Sequence, residues 1–141
     1  MLVGWVDSNS YKDFHRIQGQ WKVCIGRAAN EGAAFAGGIR KVVAKLFIVE
    51  KGSVCLETYI VTGYFNSKKE AENYRDYMKT RFYRFMLSLR VISQDISKEK
   101  FAWVPDLGNY ANPVTDADLF EHFNLDRDEI KHINSAIKEI K

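Results

Sequence analysis

The twelve residues KTRFYRFMLSLR (79–90) interleave four cations, Lys79, Arg81, Arg84 and Arg90, with three aromatic and three aliphatic side chains. Guanidinium forks can contact phosphates or the edges of bases, and aromatic rings can stack on exposed bases, so this mixture is one that a nucleic-acid surface would use. At about 100° per residue, Ala71, Tyr74, Met78, Phe82, Phe85, Leu89 and Ile92 fall in one narrow sector, the stripe of an amphipathic helix facing a core. The cations border that stripe. Arg81 and Arg84 share one flank with Tyr77 and Ser88, and Arg75, Lys79 and Arg90 occupy the other. A second cationic group, Arg27, Arg40 and Lys41, brackets the small-residue run RAANEGAAFAGG (27–38). These ten residues are the candidate nucleic-acid contacts; solvated charge beside a buried stripe is the competing reading.

Catalytic patterns fare worse. The glycines at 26–38 form neither G-x-x-x-x-G-K-[ST] nor G-x-G-x-x-G between a strand and a helix, so no phosphate-cradling loop is expected. Pro105-Asp106 and Glu129-Ile130-Lys131 imitate the carboxylates and lysine of a metal-dependent nuclease. The apolar period around 125–140, however, turns Glu129 and Lys131 to solvent on a helix. The segment [ND]PP[YF] that grips an adenine amino group for methylation is missing, because the only prolines, Pro105 and Pro113, are not adjacent. Cys24 and Cys55 sit in apolar, strand-like runs and read as buried, reduced thiols, with a disulfide between neighbouring strands as the alternative. No CxxC exists and His15, His122 and His132 are scattered, which argues against zinc.

The elements that must position these residues follow from periodicity. The 141 residues suit a single domain spanning 1–141, and 46% hydrophobic with 28% charged residues is ordinary globular composition. No run of 18 apolar residues marks a membrane span, and no basic-then-apolar leader marks secretion, so a cytoplasmic protein without membrane contact is expected. Residues 11–90 carry 15 Lys and Arg against 7 Asp and Glu, while 115–141 carry 4 against 7, a basic body with an acidic tail. Strands are expected within 20–65, at QWKVCIG, IRKVVAKLFIVE and VCLETYIVTGYF, with a further short strand at FAWVP (101–105). Ser67 with Glu70 forms a capping-box signature that opens one long helix over 67–91. Thr115 caps another helix, and a last one begins near Asp126, together a helical hairpin over 115–141. The expected fold is α+β: a mostly antiparallel sheet packed on one long amphipathic helix, closed by that hairpin.

A family resemblance runs through the same residues. Glu57, Thr58 and Tyr59 are followed by Phe65, Ser67, Glu70 and Ala71, then by Thr80, Arg81, Phe82, Arg84 and Phe85. Gln94, the set Phe101, Trp103, Val104 and Pro105, and Thr115, Asp116, Asp118, Leu119 and Phe120 complete the order. This series resembles the C-terminal, target-recognition region of bacterial type IIG restriction-modification enzymes and adenine-specific DNA methyltransferases, with Val114 standing where the family has Trp. The resemblance implies a C-terminal piece of a longer enzyme, with double-stranded DNA and the upstream methyltransferase and nuclease domains as partners. It implies no catalysis and no cofactor in this piece; S-adenosylmethionine, and Mg²⁺ for a nuclease part, would belong to the parent. Two rivals remain: a docking module between domains of the same parent that touches no bases, and an independent enzyme with an unrecognised site.

Overall fold

The computed structural model describes residues 17–26, 45–55, 58–90 and 98–137, with residues 5, 7 and 139. Three strands, β1 (Trp21–Gly26), β2 (Leu46–Val49) and β3 (Tyr59–Phe65), form an antiparallel sheet in the order β2-β1-β3. Their β-branched and aromatic residues suit a pleated surface packed on both sides, and the four inner residues of β1 are all buried. The protein is therefore α+β, as its periodicity predicts. The part of the second expected strand before residue 45, and the run 27–38, lie outside the described residues.

A bulge in β3 decides which aromatic residues reach the core. Val23 pairs with Gly63 but Cys24 pairs with Val61, so Thr62 is the extra residue. The Thr62 hydroxyl donates to the Val23 carbonyl (3.1 Å) and lies 3.4 Å from the Met78 sulfur. A Cβ on Gly63 would meet the Phe65 and Tyr74 rings, so Thr62 and Gly63 both face the helices. Strict alternation would turn Phe65 away from that side. The bulge turns it inward, 5.0 Å from Tyr74 between ring centroids, and leaves Tyr64 exposed.

The expected long helix is two helices. The helix α1 (Lys68–Lys79) begins at the Ser67 cap, whose hydroxyl accepts from the Glu70 amide while the Glu70 carboxylate accepts from the Ser67 amide. It ends at Thr80, whose ψ of 152° is extended, and α2 (Arg81–Ser88) restarts at once. The physical reason is a cap in mid-stripe. The Thr80 hydroxyl accepts from the Tyr83 amide (3.2 Å) and donates to the Tyr77 carbonyl (2.6 Å), serving both helix ends. The break also turns Leu89, expected on the core stripe, out to 49% exposure.

The segment expected as a strand at 101–104 is instead the end of a 3-10 turn (Lys98–Trp103), closed by the Val104 amide on the Phe101 carbonyl. Two further helices follow, α3 (Asp116–His122) and α4 (Arg127–Ala136), capped by Thr115 and Asp126 in capping boxes with Asp118 and Glu129. Asn124, at φ 55°, ends α3 in the left-handed conformation, with the Leu125 amide on the Phe120 carbonyl and the Asn124 amide on the Glu121 carbonyl. Both helices rest on α2. Val23, Ile25 and Ile60 from the sheet, Tyr74, Tyr77 and Met78 from α1, and Phe82, Tyr83 and Leu87 from α2 form one continuous core with Leu119 and Ile133. No helix among the described residues is long and apolar enough to cross a membrane.

Candidate functional site: a cation-bearing corner beside an aromatic cleft

The break at Thr80 consumes half of the cations in the basic, aromatic stretch. Arg84 is 1% exposed, and its Nε–H is shared between the Lys79 (3.0 Å) and Thr80 (3.2 Å) carbonyls, the last turn of α1. Burial pulls its pKa down to about 10, opposed by the nearby Asp116 carboxylate, so the guanidinium stays charged at neutral pH. Asp116, the first residue of α3, accepts from the Arg81 (3.0 Å) and Phe82 (2.9 Å) amides and so caps α2 from across the fold. The Arg81 side chain runs to α4, with Nε on the Ile137 carbonyl (3.2 Å) and a terminal nitrogen 4.0 Å from Glu139. A carboxylate at the amino end of one helix and a guanidinium at the carboxyl end of another each oppose the local helix dipole.

Of the flank Tyr77, Arg81, Arg84 and Ser88, Tyr77 and Arg84 are buried away from any surface, whereas Arg81 and Ser88 remain partly exposed. Tyr77 is wholly buried and donates its hydroxyl to the Pro105 carbonyl at 2.7 Å. Ser88 donates to the Phe85 carbonyl one turn back (2.6 Å). Once the helix bends at Thr80, the angles that align Tyr77 with residues 81–88 no longer apply. Arg84 bonds the Lys79 carbonyl at the broken end of α1 and shares the Thr80 carbonyl with its own amide, while Arg81 reaches the Ile137 carbonyl at the end of α4.

The opposite flank keeps its charges at the surface. Arg75 is partly exposed with Asp76 at 3.4 Å, and Lys79 lies one turn further along α1, also partly exposed. Arg90, just past α2, lies over the Trp103 ring at 4.8 Å, and Trp103 is 50% exposed. Trp103 is not among the candidate contacts because FAWVP reads as a short strand of the sheet. The signal that could have found it is Pro105, which keeps this Trp-bearing segment out of the interior of a sheet. Arg27, Arg40 and Lys41 lie outside the described residues.

The 3-10 turn that presents Trp103 also sends Phe101 into a cleft of about 780 Å³ between β3, α1 and the loop at 104–110. Its walls are aromatic: Phe65, Tyr74, Tyr77, Tyr83 and Tyr110 meet one another at centroid distances of 4.9–6.4 Å, mostly edge to face. The phenol groups are committed inward. Tyr74 donates to the Thr62 carbonyl (3.0 Å), Tyr77 to Pro105, and Tyr110 to Asp106 Oδ1 (2.8 Å). Burial raises the pKa of all four tyrosines above the ordinary phenol value, with the shift at Tyr83 large, and that of Tyr110 rises further against Asp106. The cleft wall is thus an interlocked set of rings, with the Glu70 and Asp106 carboxylates also in its lining.

Pro105-Asp106 and Glu129-Lys131 do not meet as a metal site. Asp106 accepts from Tyr110 and the Gly108 amide, whereas exposed Glu129 caps Asp126 at the start of α4. Among the described residues no three His, Cys, Asp or Glu side chains are grouped to hold a metal ion. Compared with protein-family profiles, curated proteins and solved structures, the chain matches none.

Proposed function

We propose that this chain is a DNA-binding target-recognition module that serves an adenine methyltransferase, with the catalytic steps carried by other domains. The observation that carries this reading is the corner where Arg90 lies over half-exposed Trp103, with the aromatic cleft behind it. A guanidinium held on an indole face pairs a phosphate contact with a stacking surface, the combination that nucleic-acid binding uses. Arg75 and Lys79 add cations on α1. The ordered motifs between 57 and 120 support the same reading by resemblance to restriction-modification enzymes. The piece would hold duplex DNA while a partner domain, using S-adenosylmethionine, extrudes and methylates the base. Mg²⁺ would enter only with an attached nuclease domain.

The test is a salt titration of duplex binding by the whole chain and by the triple variant Arg75→Ala/Lys79→Ala/Arg90→Ala. Binding by the parent chain should fall steeply with salt, and the variant's log–log slope should be shallower by about 0.9 for each phosphate that it no longer neutralises. Equal affinity and slope for the two proteins would remove this corner from DNA. A second reading has its own observation: Leu89 and Trp103, both about half-exposed, form an apolar rim that a neighbouring protein domain could cover. In that case the chain would bind methyltransferase or nuclease domains without salt-dependent affinity for DNA.

A further inference from the structure

On the sheet face away from α1, Cys24 of β1 and Cys55 bring their sulfurs to 2.9 Å. Both are thiols, yet this separation is well inside ordinary sulfur–sulfur contact and leaves little movement before a bond. The two residues are the only cysteines of the chain and are 31 positions apart, so their approach is made by the fold. Cys24 is buried, whereas Cys55, in the segment between β2 and β3, is only partly covered. Cys55 is thus the less covered residue of the pair. A fixed charge lies on the same face of β1: the Lys22 ammonium, buried, donates to the carbonyls of Ile17, Gln18, Gln20 and Glu50 at 2.8–3.4 Å.

We propose that Cys24 and Cys55 form a reversible dithiol–disulfide pair, oxidised by hydrogen peroxide, that staples the central strand to the chain entering β3. Cys55 is the attacking sulfur. The hydrogen bond from Cys24 brings its pKa down to about 7, Lys22 adds to that, and partial burial opposes it. Cys24, the hydrogen-bond donor, is pushed well above the usual thiol range by the same contact and by burial. The Cys55 thiolate attacks one peroxide oxygen; the O–O bond breaks, and the departing hydroxide leaves as water after taking a proton. This gives a sulfenic acid at Cys55. Cys24 then attacks that sulfur, its proton passing to the departing oxygen, and a second water leaves as the S–S bond forms. Overall, two thiols and one hydrogen peroxide give one disulfide, with the peroxide reduced. A low-molecular-weight thiol reverses the reaction by exchange.

The experiment uses the whole chain, first reduced, then exposed to hydrogen peroxide, with thiol counting and intact mass under denaturing conditions. Both thiols should disappear together with loss of two hydrogens, the chain should stay monomeric, and dithiothreitol should restore both. Because the bond closes a long loop in the unfolded chain, Tm should rise by on the order of 10 °C on oxidation. Cys24→Ser should stop at a sulfenic acid on Cys55 that a dimedone probe captures. Cys55→Ser, at the less buried site, should leave Cys24 at least about 10-fold slower to react than Cys55 is in the parent. Persistence of both thiols, their loss only into disulfides between chains, or an unchanged Tm with the bond formed would each overturn the proposal.

Discussion

Arg84 and Arg90 stand six residues apart in one basic, aromatic stretch, and the fold gives them opposite roles. Arg84 is buried and donates to the Lys79 carbonyl at the end of α1 and to the Thr80 carbonyl, which also accepts from the Arg84 amide. Arg90 remains at the surface over a half-exposed indole. Both are cations beside aromatic rings, so composition cannot separate them; what separates them is whether the helix end beside them is buried and still needs a donor. A guanidinium beside an interrupted helix is drawn to orphan carbonyls, because leaving them buried and unpaired costs more than fixing the side chain. At the end of α2 the Phe85 and Leu87 carbonyls already accept from the Leu89 and Arg90 amides and the Ser88 hydroxyl, and the Arg90 guanidinium lies over Trp103 instead.

Removing each arginine tests this contrast most strongly. Arg84→Ala takes a charged donor from two carbonyls inside the core and should cost about 3 kcal/mol in urea denaturation. Arg90→Ala should change stability by less than about 1 kcal/mol, the scale of an exposed cation–π contact. DNA affinity should respond in the reverse sense, with Arg90→Ala weakening binding while the folded fraction of Arg84→Ala binds as before. Similar stability losses for the two variants would erase the distinction between the junction and the corner.

The parts of this fold that are legible in the sequence are those governed by local rules. Ser67 with Glu70, and Thr115 at the head of an acidic first turn, announce their helices through side chains that bond their own backbone, and both caps are in place. The run around Cys24 reads as a strand from its alternation, and β1 is in place with its four inner residues buried. Non-local partners hide the rest. The apolar stripe runs smoothly through Thr80, and Asp116, accepting from the Arg81 amide 35 residues away, joins the Thr80 cap in holding the break. Alternation in β3 cannot reveal an unpaired Thr62, since the bulge is defined by register against β1. Tyr77 and Arg84 are buried rather than lined up on a surface flank for the same reason: the angles that align them with Arg81 hold only along an unbroken helix. Arg75, Lys79 and Arg90 do lie at the surface in the fold, while their DNA contact rests on the titration proposed above.

The aromatic cleft supplies a second contrast, between the sheet side, where space is fixed by rings, and the exposed corner, where it is open. A Cβ on Gly63 would stand 2.9 Å from the Phe65 ring and 3.0 Å from that of Tyr74. Those rings cannot swing aside cheaply, because the Tyr74 hydroxyl is hydrogen-bonded to the Thr62 carbonyl and both rings pack on Tyr110. Gly63→Ala should therefore destabilise by about 1–3 kcal/mol through overpacking, partly offset by a stiffer unfolded chain. Gly108→Ala, whose Cβ meets no atom within 4 Å but whose φ is +72°, separates steric from backbone strain. If Gly63→Ala is neutral, the rings are looser than their contacts imply, and the cleft is adaptable rather than preformed.

The smallest expected effect probes the junction itself. Thr80→Ala removes the hydroxyl that accepts from Tyr83 and donates to Tyr77, one cap at each side of the break, and should cost about 1 kcal/mol. Thr80→Ser keeps the hydroxyl and should recover most of that loss. Alanine also has the highest helix propensity, so the substitution favours fusing α1 and α2 into the single helix that the apolar stripe alone would form. Fusion would strip Asp116 and Arg84 of their backbone partners. The measurement is helix content by far-ultraviolet circular dichroism beside the denaturation midpoint. A modest loss of stability with unchanged helix content means that Asp116 and Arg84 hold the break without the hydroxyl. A gain in helix content with equal or greater stability would show that Thr80 alone imposes the break, and Arg81 and Arg84 would then be surface cations of a continuous helix.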